Sequence, residues 1–150
     1  MAEEVKQTKK LLIITGPQGS GNQLFSKIFA MHPVVEGWSM QEYWEGHHME
    51  PFSRWWDDPS KLADVKWTDR ENYVTSISCP YYRNGKPQVP KYKEFIEEAQ
   101  KVFDIKIVII GRDKNILKYQ QERIRKGHTT LQALEQFEFL WQYKPYFHLC

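Results

Sequence analysis

Hydrophobic and polar positions follow two rhythms along the chain, and each change of rhythm marks an element. Leu11 to Ile14 are consecutive apolar residues, which suits a strand buried on both faces of a parallel sheet. From Ser20 onward, Leu24, Phe25, Ile28 and Phe29 recur at helical spacing. His32-Pro33 ends that helix, because the residue before a proline is pushed out of the α region. Val34-Val35 predicts the start of a short second strand. Residues 73–78 combine β-branched and aromatic side chains with alternation and read as a strand, which Cys79-Pro80 ends. Tyr81 to Val89, containing Asn84-Gly85, reads as a loop.

In the second half, Pro90 fits the first turn of a helix with the stripe Phe95, Ile96, Ala99, Val102 and Phe103. Ile105 to Ile110 is the clearest strand there, and it runs into Gly111-Arg112-Asp113. Asp113 is placed to cap a polar helix from Lys114 to Lys126, which Gly127 stops. Thr129 or Thr130 caps a last helix with Leu131, Leu134, Phe137, Leu140 and Trp141 on one face. Lys144-Pro145 breaks it, and Tyr146 to Cys150 predicts a final strand.

Residues 38–72 are the least regular, with Trp38, Tyr43, Trp44, Trp55, Trp56 and Trp67 among charged residues and prolines. They read as short helices and loops lying over one end of the sheet. Strands alternating with helices predict a three-layer α/β/α domain with a mostly parallel central sheet and right-handed crossovers. Ligands of such sheets lie beyond the carboxyl ends of the strands. The glycine-rich turn, Ser78-Cys79 and Gly111-Arg112 all fall at that edge.

That turn carries the first chemistry. Gly16, Gly19 and Gly21 permit positive φ and close approach of a phosphate to the backbone, and the helix that follows opens with unpaired N–H groups and a positive dipole end. The G-x-x-x-x-G spacing is met by Gly16 and Gly21. Asn22 and Gln23 nevertheless stand where a nucleoside triphosphatase has Lys and Ser or Thr. The loop therefore suits a phosphate and is poorly equipped for metal-assisted triphosphate hydrolysis. Arg112, directly after a buried strand at the same edge, is placed as a second, bidentate anion anchor.

Composition narrows the picture. A chain of 150 residues is most simply one domain, and a formal net charge of +2 is too small to imply nucleic-acid binding. Two cysteines, Cys79 and Cys150, form neither a disulfide framework nor a zinc pattern, and they read as reduced thiols of a cytoplasmic protein. The charged N-terminus precedes only a short apolar run, so neither a signal peptide nor a membrane span is expected. His47, His48 and Glu50, with Asp57 and Asp58, lack metal-ligand spacing. No metal is expected, and one of His47, His48 or Glu50 is left for a substrate-facing role.

The stretch from Gly16 to Phe25, followed by Met31-His-Pro-Val-Val35, resembles the sulfotransferase pattern, in which a Ser-Gly-Thr-Thr loop leads a helix ending in His-Pro. Residues 107–113 and the polar helix after them resemble that family's second signature, and the last helix and short strand are similar to its later segment. The resemblance spans most of residues 10 to 149 apart from the aromatic insert. It implies a single P-loop NTPase-like domain over residues 1–150, with 38–72 as an insert or cap. It also implies the donor 3′-phosphoadenosine-5′-phosphosulfate, bound through Gly16, Gln18, Gly19, Ser20, Gly21, Asn22 and Gln23, with its 3′-phosphate on Arg112 and Gln120. Asn22 and Gln23 would stabilise charge on the bridging oxygen. The expected reaction moves a sulfuryl group to an unidentified hydroxyl or amine.

The departures are equally definite. Gly19 stands where the family has Lys or Arg, Asn22-Gln23 where it has two Thr, and Gln120 where it has Ser. Ser76-Ile-Ser-Cys-Pro80 lacks the family's basic His, so His47, His48 and Glu50 become the candidates for the base. Two alternatives stand beside the enzyme: a non-catalytic nucleotide-binding module, and a magnesium-dependent nucleotide or small-molecule kinase.

Overall fold

The computed structural model describes residues 9–36, 53–67, 69–83, 85–111 and 136–149. Strand β1 (Lys9–Pro17) leads through the glycine turn into helix α1 (Asn22–Ala30) and the short strand β2 (Val35–Glu36). Helix α2 (Ser53–Asp57), a 3-10 segment (Pro59–Asp64) and strand β3 (Asn72–Cys79) follow, then strands β4 (Tyr81–Arg83) and β5 (Lys86–Gln88) and helix α3 (Tyr92–Ala99). Strand β6 (Phe103–Gly111), a helical stretch at 136–140 (α4), a 3-10 turn (Trp141–Tyr143) and strand β7 (Tyr146–Leu149) complete the described chain.

The main sheet runs β2-β3-β1-β6-β7, and every adjacent pair is parallel. Strand β1 is thus central, between β3 and β6, as its unbroken apolar run predicts. Alternation then assigns the two faces. Ile14, Val74 and Ile110 point to α1, where Phe25 and Ala30 pack on them. Leu11, Ile13, Tyr73, Ile77, Phe103 and Ile107 point to the opposite face, covered by α2, α3 and α4. The expectation of an α/β fold with a mostly parallel sheet and flanking helices is met.

Several sequence expectations are corrected. The Tyr81 to Val89 segment is an antiparallel hairpin, in which Tyr81 pairs with Gln88 and Arg83 with Lys86. Gly85 takes φ 75°, the left-handed turn geometry that Asn-Gly sequences supply. Pro90 lies just ahead of α3 and outside its first turn: its carbonyl accepts the Tyr92 N–H at 2.9 Å, and Lys91 becomes the N-cap. Phe103 opens β6 and does not extend the helix stripe. Trp141 is 60% exposed, because the chain tightens into a 3-10 turn there and the helical periodicity no longer holds.

Of the aromatic insert, Trp38, Tyr43 and Trp44 lie outside the described residues. Trp55 and Trp56 are buried in the core on the α3 face. Trp56 stacks flat on Phe95, with ring centroids 3.7 Å apart, and donates Nε1–H to Thr75 Oγ1 at 3.2 Å. Trp67 sits edge-on to Trp55, Tyr73 and Phe103. These rings fill the space between sheet and helices. The sequence-derived helix 114–126, the caps Thr129 and Thr130, and Leu131 and Leu134 lie outside the described residues.

Candidate functional site

The glycine turn sits beyond the carboxyl end of the central strand. Gly16 and Pro17 still belong to β1, and Gly16 pairs with Ser78 of β3. Only Gly19 (φ 85°) and Gly21 (φ 90°) take left-handed backbone, which is where glycine is required for torsional reasons. Gly16 is needed for a different reason. A Cβ there would run into the Ile110 carbonyl oxygen of β6 and lie 3.0 Å from Asn22 Oδ1. The place of its missing side chain is taken by the β6 backbone, with Asn22 beside it.

Asn22 fixes the turn. Its amide donates to the Gly16 carbonyl at 3.2 Å and to Ser78 Oγ at 3.1 Å, using both hydrogens. The orientation of the amide follows from the Gly16 carbonyl, which only a donor can face. Asn22 therefore ties the turn to β3. Its Oδ1 is buried without a partner.

Helix α1 begins at this residue. Gly21 is the N-cap, no side chain caps the first turn, and no acidic residue stands in it. The first-turn N–H groups and the positive dipole end are therefore not answered by a side chain of the helix. Ser20 stands immediately before the cap. It is 2% exposed, and its hydroxyl has no hydrogen-bond partner. A buried, unmatched hydroxyl costs roughly 1–3 kcal/mol. Ser26 and Ser76 also carry buried, unpartnered hydroxyls.

Each expected site residue can now be located. Gly16, Gln18, Gly19, Ser20, Gly21 and Asn22 form the turn, with Gln18 buried, and the backbone of Gln23 lies in the first turn of α1. Ser78 joins them through Asn22, a link invisible in the sequence because it depends on strand register. Arg112 and Gln120, and the base candidates His47, His48 and Glu50, lie outside the described residues. Of the carboxylates once grouped with those histidines, Asp57 accepts the Tyr81 hydroxyl at 2.7 Å, and Asp58 bonds Ser60 and faces Lys61 at 3.7 Å. No group of three potential metal ligands occurs among the described residues.

On the other face of the same edge a buried network holds β1, β3 and α3 together. Thr15 Oγ1 donates to the Ile77 carbonyl at 2.7 Å and stands 2.6 Å from Tyr92 Oη. Because the Thr15 hydrogen is used on Ile77, Tyr92 is the donor of the second bond. Cys79 lies beside Tyr92. Burial pushes its thiol up to about 11, against a smaller downward pull from the Tyr92 hydroxyl. A thiol held neutral in this way is a packing residue and not a nucleophile.

A hollow of about 220 Å³ lies at the other end of the sheet, lined by Leu12, Phe29, Val35 and Val74. It is almost wholly apolar and carries none of the turn's chemistry. No helix among the described residues is long and apolar enough to cross a membrane. No model of a known protein family matches the chain, and no curated protein matches it in sequence.

Proposed function

We propose that the turn from Gly16 to Gln23 cradles a nucleotide phosphate in a three-layer, P-loop NTPase-like domain, and that the protein is a sulfotransferase-like enzyme. In this reading it uses 3′-phosphoadenosine-5′-phosphosulfate as donor. The observation that carries it is the buried, unpartnered Ser20 hydroxyl beside the uncapped start of α1. A tetrahedral oxyanion placed there accepts from the hydroxyl and from first-turn N–H groups, and it meets the positive end of the dipole. Arg112 follows Gly111 at the end of β6, the strand beside β1, and supplies the second anchor that a donor with a separate 3′-phosphate needs.

In the transfer, the acceptor oxygen or nitrogen attacks sulfur in line. The bond from sulfur to the 5′-phosphate oxygen breaks, and its electron pair stays on that phosphate. Preorganised N–H donors and the Ser20 hydroxyl stabilise the charge that develops there. Asn22 holds the turn in shape, its amide hydrogens being committed to Gly16 and Ser78. The acceptor's proton passes to a base, for which His47, His48 and Glu50 are the candidates.

A second reading, a non-catalytic nucleotide-binding module, is favoured by the absent Lys and His of the family pattern, and by one observation: Asn22, at one of the family's two Thr positions, is turned inward. Thermal unfolding separates the readings from a kinase. At about one hundred times its Kd, 3′-phosphoadenosine-5′-phosphate should stabilise the protein by about 2.7 kcal/mol, a rise in Tm of roughly 5–10 °C, and ATP with Mg²⁺ should give less. Sulfuryl transfer to a panel of phenols, sugars and amines then marks the enzyme. Binding without turnover marks the module, and stabilisation by ATP with Mg²⁺ alone contradicts both.

A further inference from the structure

The two sides of the turn differ. Towards β3, Asn22 and Ser78 lock together. Towards β6 and β7, the carboxyl edge carries rings. On the α1 face, Ser78 pairs with Gly16, Gly16 lies against the Ile110 carbonyl, and Ile110 pairs with His148 of β7. Phe25, one turn into α1, packs on Ile110 and its neighbours. Its ring edge is 3.7 Å from where a Cβ of Gly21 would stand. On its far side it meets the His148 ring edge-on, with centroids 5.3 Å apart and planes at 71°. Phe25 is partly buried and His148 is exposed, and Tyr146, 64% exposed, precedes His148 on the same face of the strand.

We propose that the Phe25–His148 pair is the platform for the ring system of the ligand whose phosphate occupies the turn, a nucleobase stacked on the His148 imidazole. This rests on the reading of the turn as a phosphate cradle. For a nucleoside phosphate held at the start of α1, the β3 side offers Asn22 and Ser78 already bonded to each other. Laid over Phe25 towards β6 and β7, its ring system comes to the exposed His148, the ring that Phe25 touches there. Imidazole faces stack bases as other aromatic side chains do. The edge-to-face contact with Phe25 fixes the place of the imidazole, which stays exposed. Among the described residues of that register row, His148 is the only aromatic one.

Calorimetric titration with 3′-phosphoadenosine-5′-phosphate and with its base-free counterpart, ribose 3,5-bisphosphate, tests this. Wild-type protein is expected to bind the base-bearing compound about tenfold more tightly. His148→Ala should bring that ratio close to one while leaving the affinity for ribose 3,5-bisphosphate unchanged, and His148→Tyr should restore it. An unchanged ratio in His148→Ala overturns the platform alone, as does an equal loss for both compounds, which would place His148 at the phosphate. Failure of wild-type protein to bind either compound overturns the cradle and the platform with it.

Discussion

Gly16 and Ser20 show two opposite reasons for a small residue in the same turn. Gly16 is small because a backbone carbonyl of β6 occupies the place of its Cβ. Gly16→Ala should therefore cost about 3 kcal/mol, at the upper end of overpacking effects because backbone cannot step aside as a side chain can. The check is a urea midpoint that falls at an unchanged m-value. Ser20 carries a hydroxyl that the folded chain leaves unmatched. Ser20→Ala should raise the stability of the ligand-free protein by about 1 kcal/mol, since an apolar group replaces an unsatisfied polar one. A loss of stability would mean that the hydroxyl has a structural partner.

Cys79 belongs to the same scale. Below its ordinary value of 9.0, the thiol is protonated in folded and unfolded chains alike, and its contribution to stability is fully present. As pH rises from 9.0 towards about 11, the unfolded chain releases the proton and the folded chain keeps it. Stability then falls, by roughly 3 kcal/mol across that window. Subtracting the pH profile of Cys79→Ala from that of wild type isolates the effect. The same burial should leave the Cys79 peptide unlabelled by iodoacetamide at pH 8 until denaturant is added.

At the scale of elements, what was legible followed from periodicity, and what was missed followed from contacts between distant residues. The strands β1, β3, β6 and β7 and the helix α1 lie where their apolar runs and stripes predict. The hairpin of β4 and β5 is not legible as strands because each is three residues long, with little alternation to detect. Trp55 and Trp56 are core residues that no helical stripe announces, because α2 is so brief. Trp56→Ala should cost about 4 kcal/mol, from the lost ring stack on Phe95 and the void left in a closed core. An unfolding free energy within 1 kcal/mol of wild type would place Trp56 outside that core.

For the whole molecule, the class of fold was readable from alternating strands and helices, whereas the strand order was not. The order β2-β3-β1-β6-β7, with β1 between β3 and β6, brings Ser78 to one side of the glycine turn and the end of β6 to the other. The turn itself was visible as glycines in a spacing. Its internal logic was not, because the inward Asn22 and the unmatched Ser20 hydroxyl appear only when β1 and β3 are in register. His148 stood unremarked in a final strand until pairing with Ile110 set it at the same edge.

The phosphate cradle is tested most directly by calorimetric titration of wild type and Ser20→Ala with 3′-phosphoadenosine-5′-phosphate. The account predicts saturable binding to wild type and roughly tenfold weaker binding to a variant that is no less stable, the loss of one hydrogen bond to a charged group. Equal affinity in the two proteins, or no binding to wild type, would contradict it.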